Sequence, residues 1–446
     1  MKHQTNIVVL GGGESGVGAA LLAKKNGASV FLSDRGEISA VHQAELLAAG
    51  IAFETGQHTR AQILQASEVI KSPGIPDTVP LVLELVAQGI PVIGEIEYAA
   101  RFTQATLLAI TGSNGKTTTA YLTHHLLNAG GIKASLVGNV GISFARSLAE
   151  GDEPEVFVIE ISSFQLDSIR DFRPRLAAIL NITPDHLDRY NYDMAGYTAS
   201  KMRITMNQQA TDELWYLAED EHTKKGLATT NVKAQLHPIS KAAIMDHRLR
   251  LADGWLDLNT TQLRGRHNAL NALFATGMAQ ALGIGMAVLQ EGLNTFQPVP
   301  HRLEPVGEVN GVIYINDSKA TNVDAVTYAL EAMTQPIIWI AGGTDKGNDY
   351  EPLFALAKNK VQALICLGAD NTKLKAAFAD KIDTIRETSR AEDAVQAAFK
   401  LAQPGQVVLL SPACASFDLF KNYIDRGDQF RAAVQALITP NLTTAP

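Results

Sequence analysis

A strand–loop–helix pattern near residue 110 constrains the fold of this chain more than any other feature. Residues 107–119 read LLAITGSNGKTTT, an apolar run followed by a glycine-bearing turn, a lysine and three threonines. This order predicts a strand that passes into a loop of backbone N–H groups and then into a helix N-terminus, an arrangement that binds phosphate. Lys116 is predicted to reach the β- and γ-phosphates of a nucleoside triphosphate, and Thr117 to face Mg²⁺.

The loop departs from the standard phosphate-loop pattern at one position. Ile110 stands where a glycine is expected, and Gly112 supplies the backbone flexibility instead. A tight strand–helix turn with a surface lysine is the alternative interpretation. We interpret the segment as a triphosphate site formed by Gly112, Ser113, Asn114, Gly115, Lys116, Thr117 and Thr118.

Composition limits the class of protein. The chain has 446 residues, 46% of them hydrophobic and 19% charged, which is typical of a folded protein of about three domains. A formal charge of −8 argues against a broad nucleic-acid-binding face. Two cysteines, Cys366 and Cys414, cannot form a disulfide framework and favour a reducing compartment. Since the apolar runs are shorter than the ~20 residues that a membrane span needs, we expect a cytoplasmic protein without a membrane partner.

Strand and helix patterns alternate along most of the chain, which predicts an α/β fold with parallel sheets covered on both faces. We predict three domains: an N-terminal Rossmann-like domain (1–95), a central P-loop ATPase-like α/β domain (96–299) and a C-terminal Rossmann-like domain (300–446). The proline-rich segment 297–300 marks the second boundary. Residues 212–263, which alternate in short runs between polar turns, are predicted to add a small antiparallel sheet.

The first domain opens with a glycine pattern typical of nucleotide binding. Gly11, Gly13 and Gly16 follow a β-rich run, and Asp34 ends the next one. The pattern fits a dinucleotide, another nucleotide, or only a tight strand–helix turn. Residues 72–74 (Ser-Pro-Gly) close a further strand at the edge where ligands bind in such sheets.

Two further strand ends in the central domain carry possible metal ligands. Glu160 directly follows the apolar run 156–159, and a carboxylate there is a common Mg²⁺ ligand, although it could simply face solvent. His186 lies in the polar segment NITPDHLD and is a candidate metal ligand or a neighbour of one. Lys201 shares a helix face with Tyr197, and spacing alone predicts an ordinary solvated lysine.

Three loops at strand ends of the third domain are predicted to gather at one edge of its sheet. They are residues 316–321, 342–346 and 411–417, and their lysines and hydroxyls suit an anionic substrate such as a dicarboxylate. Cys414, with no neighbouring base, is predicted to be a buried thiol and not a nucleophile. A triphosphate site, a second nucleotide-type site and an anion site together indicate a ligation in which ATP activates a carboxylate as an acyl phosphate.

The motifs along the chain resemble those of the Mur ligases. They are TGSNGKTTT, EISSFQLD, NITPDHLDRY, YTASKMRI, RGRHNALNA, PHRLE, INDSKATNVDA and SPACASFDLFKNYIDRGDQF, and together they cover the chain from about Val8 to Phe430. The resemblance implies an ATP-dependent ligase of peptidoglycan precursor synthesis that acts on cytoplasmic small molecules as a monomer. The last two motifs favour D-glutamate as the amino acid joined to UDP-N-acetylmuramoyl-L-alanine.

The resemblance also implies roles for individual residues. Lys116, His186 and Lys201 would be catalytic, with Lys201 carbamylated, and two Mg²⁺ ions would be held by Thr117, Glu160, His186 and Lys201. Besides the phosphate loop, the ATP contacts would be Asn268, Asn271, Arg302 and Asp317. The UDP-substrate would be bound by Gly13, Ser15, Asp34, Arg35, Ser72, Pro73, Gly74 and Asn139. The D-glutamate pocket would contain Lys319, Thr321, Lys346, Ser416, Phe417 and Tyr423.

Other functions stay open on the sequence alone. A different ligase of the same fold, such as a folylpolyglutamate synthetase, would differ in the first domain or the last pocket. A dinucleotide-dependent oxidoreductase would use the first glycine pattern but would leave the phosphate loop unexplained. An ATP-driven switch would hydrolyse nucleotide without ligation.

Overall fold

The computed structural model describes residues 5–263, 265–297, 300–345 and 347–442. The chain divides into two compact units. The first contains Met1–Ile182, Asp193–Asp257 and Asn271–Leu293, and the second contains Thr183–Tyr192, Leu258–Leu270 and Asn294–Pro446. The predicted domain boundaries after residues 95 and 299 stay predictions, and residue 299 lies outside the described residues.

The N-terminal sheet has five parallel strands in the order β3-β2-β1-β4-β5. Its strands are β1 (Asn6–Leu10), β2 (Ser29–Ser33), β3 (Ala52–Glu54), β4 (Glu68–Lys71) and β5 (Val92–Gly94). The helices of this part are α1 (Glu14–Lys25), α2 (Ala40–Ala48), α3 (Arg60–Ile63), α4 (Pro80–Ala87) and α5 (Glu95–Ala99). The central strand β1 is the apolar run NIVVL, and its buried position explains why it lacks an alternating pattern.

The central sheet has six parallel strands in the order β11-β10-β9-β6-β8-β7. Its strands are β6 (Thr106–Thr111), β7 (Ala134–Gly138), β8 (Val156–Glu160), β9 (Leu176–Ile179), β10 (Glu213–Leu217) and β11 (Gln235–Ile239). The helices from this stretch of the chain are α6 (Lys116–Ala129), α7 (Phe144–Ala149), α8 (Ser163–Leu166), α9 (Met194–Met202), α10 (Glu221–Thr229), α11 (Gly265–Ala281) and α12 (Met286–Thr295). The sheet places β6, which leads into the phosphate loop, in its middle.

The prediction of an antiparallel addition over residues 212–263 is only partly right. Strands β10 and β11 extend the parallel central sheet instead, and α10 makes the crossover between them. A separate antiparallel sheet is formed only by β12 (Ile244–Met245), β13 (Arg248–Leu251) and β14 (Gly254–Asp257). β10 and the edge strand β11 are only partly buried, and their sequences resemble the alternating runs of an antiparallel sheet, so the parallel pairing was not apparent from the sequence.

The C-terminal sheet is mixed, with the order β15-β16-β20-β17-β18-β19. Its strands are β15 (Glu304–Val309), β16 (Val312–Asn316), β17 (Ile337–Ala341), β18 (Val361–Leu367), β19 (Ile385–Thr388) and β20 (Val407–Leu410). Its helices are α13 (Val323–Ala332), α14 (Phe354–Lys360), α15 (Thr372–Phe378), α16 (Ala391–Leu401) and α17 (Tyr423–Leu442). Only β15 is antiparallel, because a short turn at Asn310-Gly311 folds it back on β16. The α/β class is confirmed.

Both faces of the C-terminal sheet are covered by apolar clusters. One surrounds Trp339 and Phe378, and the other surrounds Tyr314 and Phe430. In the described parts of the chain, we find no helix both long and apolar enough to cross a membrane. The burial on both faces leaves the carboxyl edges of the sheets as the places where polar side chains gather.

Candidate active site

The phosphate loop has the strand, turn and helix that the sequence predicts. β6 ends at Thr111 and α6 begins at Lys116. Gly112 and Gly115 have φ angles of +152° and +87°, which side chains with a Cβ rarely adopt. A Cβ on Gly115 would also lie 2.4 Å from Oδ1 of Asn271, so a larger residue would have to displace that side chain. The Lys116 ammonium donates hydrogen bonds to the carbonyl oxygens of Gly112, at 2.8 Å, and Ser113, at 2.9 Å.

Asn181, just after the neighbouring strand β9, stabilises the conformation of this loop. Its side-chain oxygen accepts a hydrogen bond from the Asn114 amide over 2.9 Å, and its side-chain amide donates to the Asn114 carbonyl over 3.0 Å. The Ser113 amide donates to the Asn181 carbonyl. Sequence reasoning did not assign Asn181 to the site, although its position directly after a buried run marks it as a strand-end residue.

Threonine hydroxyls without a hydrogen-bond partner surround the loop. In the described part of the chain, the buried Oγ1 atoms of Thr111, Thr118 and Thr119 have no such partner. Buried hydroxyls are normally hydrogen-bonded, so each invites an explanation. Thr118 lies in the first turn of α6, where its hydroxyl and the helix amides can donate to phosphate oxygens.

Glu160 lies at the carboxyl edge of the same sheet as the phosphate loop. It pairs in register with Ile110 of β6, so its carboxylate lies one strand away from the loop, and it is 1% exposed. Asn139 donates a side-chain hydrogen bond of 2.9 Å to Oε1 of Glu160, and its amide donates to the Glu160 carbonyl. Asn139, predicted to contact the UDP-sugar, is therefore hydrogen-bonded to Glu160, the predicted metal ligand.

The oxygen donors near the loop suit Mg²⁺. Thr117, buried at the start of α6, offers a hydroxyl, and Glu160 offers a carboxylate. No group of three or more His, Cys, Asp or Glu side chains is arranged for a metal within the described ranges. Mg²⁺ commonly takes one or two protein carboxylates and fills its other positions with water and substrate phosphates.

Lys201 is buried, which corrects the expectation of a solvated lysine drawn from spacing alone. It lies on α9 with 1% of its surface exposed. Its ammonium donates a 2.9 Å hydrogen bond to the carbonyl of Gly112 and lies 4.6 Å from the ring centre of Tyr197. The Tyr197 hydroxyl in turn lies 3.2 Å from Oγ of Ser113. The helix therefore carries Lys201 to the phosphate loop, which sequence spacing could not show.

The glycine pattern of the first domain forms a close contact between β1 and α1. A Cβ on Gly16 would lie 1.9 Å from the carbonyl oxygen of Gly11, so no larger residue fits. Asp34 accepts hydrogen bonds from the amides of Gly12 and Gly36 and so braces the glycine loop. The predicted UDP contacts Gly13, Ser15, Asp34, Arg35, Ser72, Pro73 and Gly74 all lie in loops, or at the start of α1, beside the carboxyl edge of the N-terminal sheet.

In the second unit, the three predicted loops meet at the carboxyl edge of the C-terminal sheet. The Thr344 amide donates to the Ala415 carbonyl, and Oγ of Ser411 donates to Asp317 over 2.8 Å. Burial raises the pKa of Asp317 to about 7, against the opposing influence of the nearby Arg302 charge. Lys319 lies 5.3 Å from the ring centre of Tyr423.

Arg426 connects these loops and was not singled out by sequence reasoning. Its buried guanidinium donates to the carbonyl oxygens of Ser318, Gly342 and Cys414, one from each loop. The signal lay in the motif YIDRGDQF, where Arg426 stands in the first turn of α17.

The other predicted residues of this unit are placed as follows. Asn268, Thr321 and Ser416 lie on α11 or in the strand-end loops, and the Phe417 side chain is exposed. Lys346 lies outside the described residues. Cys414 is a buried free thiol, as predicted, and burial raises its pKa.

His186 also belongs to the second unit. Its backbone is left-handed, with φ +51°, and its Nε2 lies 3.7 Å from Oδ2 of Asp185. The half-exposed imidazole can bind a ligand without losing core packing. Its role as a metal ligand stays a prediction.

Comparison with protein families matches three successive segments of the chain. Residues 5–94 match the Mur ligase MurD-like N-terminal domain, residues 110–279 the Mur ligase middle domain, and residues 301–414 the Mur ligase glutamate ligase domain. The three matches follow the three sheets in order.

Curated relatives extend the similarity to nearly the full length. The UDP-N-acetylmuramoylalanine–D-glutamate ligase of Christiangramia forsetii is 47% identical, over 97% of this chain and 99% of the relative. The enzyme of the same name from Porphyromonas gingivalis (strain W83) is 48% identical, over 96% of this chain and 98% of the relative.

Solved structures share the fold at low identity. The UDP-N-acetylmuramate-alanine ligase MurC of Thermotoga maritima has a TM-score of 0.62 at 19% identity, covering 97% of this chain and 100% of that one. A folylpolyglutamate synthase of Mycobacterium tuberculosis, solved with ADP and AMPPCP, has a TM-score of 0.60 at 15% identity, covering 76% and 92%. These two likenesses concern the fold alone.

Proposed function

The chain belongs to the Mur ligase family, and we propose that it joins D-glutamate to UDP-N-acetylmuramoyl-L-alanine in peptidoglycan precursor synthesis. It is an ATP-dependent amide ligase that releases ADP and phosphate. The observation that carries this function is the phosphate loop with Glu160 one strand away, in a chain that resembles D-glutamate ligases over nearly its full length. The oxidoreductase and switch hypotheses leave that full-length resemblance unexplained.

The reaction consists of two transfers. A carboxylate oxygen of the UDP-sugar substrate attacks the γ-phosphorus of ATP, and the bond to ADP breaks to leave an acyl phosphate. The uncharged amine of D-glutamate then attacks the acyl carbon, phosphate leaves, and the nitrogen loses a proton to give the amide. The first step joins two anions, so it needs fixed positive charge at the γ-phosphate.

We assign ATP binding to the phosphate loop and four further residues. The helix amides, the Lys116 ammonium and the unpartnered Thr118 hydroxyl are donors suited to phosphate oxygens. Asn271 approaches the loop at Gly115. Asn268, Arg302 and Asp317 complete the proposed set of ATP contacts.

Mg²⁺ fits the donor set at the loop. We assign Thr117 and Glu160 to it, with His186 and Lys201 as ligands for a second ion. When bound, Mg²⁺ neutralises charge on the phosphates and the attacking carboxylate. Asn139 orients the Glu160 carboxylate through its 2.9 Å hydrogen bond.

Carbamylation of Lys201 is part of the proposal. The uncharged amine of Lys201 would add to CO₂ to form an N–C bond, and loss of one proton would leave a carbamate anion. This change replaces a cation with an oxygen ligand beside the loop. Its support is the burial of Lys201 next to Gly112, where two lysine ammonium groups share one carbonyl oxygen.

The other substrates are assigned to the outer sheets. The UDP moiety is bound by the loops of the N-terminal sheet, through Gly13, Ser15, Asp34, Arg35, Ser72, Pro73 and Gly74, and Asn139 adds a contact from the central sheet. D-Glutamate is bound by the loops of the C-terminal sheet, through Lys319, Thr321, Lys346, Ser416, Phe417 and Tyr423. We further propose a monomer in the cytoplasm, since the substrates are cytoplasmic small molecules.

One assay tests the function. Phosphate release from ATP is expected only when UDP-N-acetylmuramoyl-L-alanine and D-glutamate are both present. With ¹⁸O in the substrate carboxylate, the label is expected in the released phosphate. Phosphate release with ATP alone, or phosphate without label, would contradict the proposal.

A further inference from the structure

Lys71 is a buried lysine at the carboxyl end of β4, next to the loop assigned to the UDP moiety. Its side chain is 1% exposed. Lysine is almost never fully buried unless its charge is paired and hydrogen-bonded, because the ammonium loses its hydration. The charge of Lys71 therefore needs partners within the folded chain.

The partners of Lys71 lie in the loop that follows it. Its ammonium donates a 2.9 Å hydrogen bond to the Ile75 carbonyl and forms a 3.0 Å ion pair with Oδ1 of Asp77. The chain thus turns back over the ammonium between Ser72 and Asp77. Both partners lie after Gly74, so Lys71 holds the far end of the Ser72-Pro73-Gly74 segment.

The near end of the segment is held by the glycine loop. The Ser72 amide donates to the Leu10 carbonyl over 2.8 Å. A Cβ on Gly11 would lie 2.4 Å from Oγ of Ser72, so the serine packs directly on the turn between β1 and α1. With both ends held, the backbone of residues 72–74 has a defined position beside Gly11 and Gly16.

The surroundings of Lys71 outside the loop do not account for its charge. A cavity of about 10 Å³ beside it is lined by Glu95, Gln165 and Ser168 among others, which is room for about one water molecule. The hydrogen bond and the ion pair of the ammonium both go to the loop. The ammonium of Lys71 therefore stabilises the loop.

We propose that Lys71 is a positioning residue for the nucleoside-diphosphate end of the substrate. It does not touch the ligand; it sets the backbone of Ser72–Gly74 through Ile75 and Asp77. The inference rests on the proposed function, because it needs this loop to bind the UDP moiety. The sequence motifs give no role to Lys71 or Asp77.

The test compares three variants by steady-state kinetics with each substrate varied in turn. Lys71→Met keeps the chain length but removes the charged donor, and the KM for the UDP-substrate is expected to rise about tenfold or more. Asp77→Asn keeps an oxygen acceptor and is expected to raise that KM about threefold, since Asp77 is partly exposed and screened. In both variants, kcat and the KM values for ATP and D-glutamate stay near those of the wild type.

Lys24→Met is the matched control. Lys24 also donates to a backbone carbonyl of the N-terminal sheet region, that of Gly50, but far along the chain from the loop. Its KM for the UDP-substrate is expected to equal that of the wild type. Titration of UDP alone, followed by calorimetry, should show weaker binding to Lys71→Met and Asp77→Asn only.

Several results would overturn the inference. If the KM values of all three substrates rise together, Lys71 is only a structural residue. If Lys71→Met does not fold, Asp77→Asn decides, and an unchanged KM in that variant refutes the role. If both variants have the turnover and the KM values of the wild type, only the role of Lys71 is refuted. If the wild-type protein shows no turnover that depends on the UDP-substrate, the proposed function is refuted as well.

Discussion

The ammonium of Lys201 donates a hydrogen bond to the carbonyl oxygen of Gly112, and the ammonium of Lys116 donates to the same oxygen. One lysine comes from α9 and the other from the start of α6. Two cations at one carbonyl repel each other unless an anion joins them or one loses its charge. The shared carbonyl oxygen therefore supports two of our proposals, that phosphate binds here and that Lys201 is converted to a carbamate.

Replacing Lys116 by alanine tests the phosphate loop. We expect Lys116→Ala to reduce turnover about a hundredfold or more, because the charge that stabilises the transferred phosphoryl group is lost. Turnover is measured as phosphate release with all substrates saturating. Lys133→Ala is the control, since Lys133 also donates to a backbone carbonyl, that of Glu153, but on the exposed surface. Normal turnover in Lys116→Ala would refute the phosphate-loop assignment.

Replacing Lys201 by alanine tests the carbamate. We expect Lys201→Ala to be inactive and to recover part of its activity when formate or acetate is added, because a small carboxylate can take the place of the carbamate. Activity is compared over a series of carboxylate concentrations. Lys116→Ala should show no such recovery. Full activity of Lys201→Ala without added carboxylate would exclude the role.

The role of Glu160 is tested through the Mg²⁺ requirement. Glu160→Gln keeps an oxygen that can accept from Asn139 but removes the negative charge. We expect the Mg²⁺ concentration for half-maximal activity to rise about tenfold or more, as is typical when metal-site groups are altered. The same shift should appear in Mg²⁺-dependent thermal stabilisation by ATP, which needs no turnover. The exposed Glu153→Gln should leave both values unchanged, and an unchanged Mg²⁺ requirement in Glu160→Gln would contradict the assignment.

Glu95 gives a prediction for stability against pH. It is buried at the start of α5, where its Oε1 accepts from the Ala145 amide, and burial raises its pKa from the ordinary 4.5 to about 7. Between these values the folded chain keeps a proton that the unfolded chain releases. The free energy of unfolding therefore falls as pH rises from 4.5 to 7, by up to about 3 kcal/mol.

Glu95→Gln stays uncharged at every pH and should lose this part of the pH dependence. Its melting temperature relative to the wild type is expected to be higher at pH 8 than at pH 5. Thermal unfolding of both proteins at the two pH values measures the difference. The melting temperature of the surface variant Glu153→Gln should differ little from that of the wild type at either pH. An equal change in the melting temperature of Glu95→Gln at the two pH values would contradict the prediction.

Much of the fold was predictable from local patterns. The apolar runs at β1, β6, β8, β17 and β20 are short and continuous because both of their faces are buried, and each ends in glycine or polar residues. The antiparallel strand β15 was not predicted, since a strand beside a proline-rich segment carries little local signal. The parallel pairing of β10 and β11 was concealed in the same way by their half-exposed positions.

The positions of the site loops at strand ends were likewise predictable from the order of residues along the chain. Gly112–Thr118 follow β6 and Glu160 is the last residue of β8, so their place at a sheet edge follows from the parallel topology. The burial of Lys201 depends instead on where α9 packs, which no spacing rule contains. The same holds for Asn181 and Arg426, whose hydrogen bonds join segments far apart in sequence.

The sequence by itself determined the α/β class, the phosphate loop and the family, because these depend on residue types at short spacing. The tertiary structure alone decided which lysines are buried and what they hold: Lys201 at Gly112, and Lys71 beneath the loop after β4. The reason is that the charge state and hydrogen bonds of a lysine depend on the groups packed around it, and packing brings together residues that the chain order keeps apart.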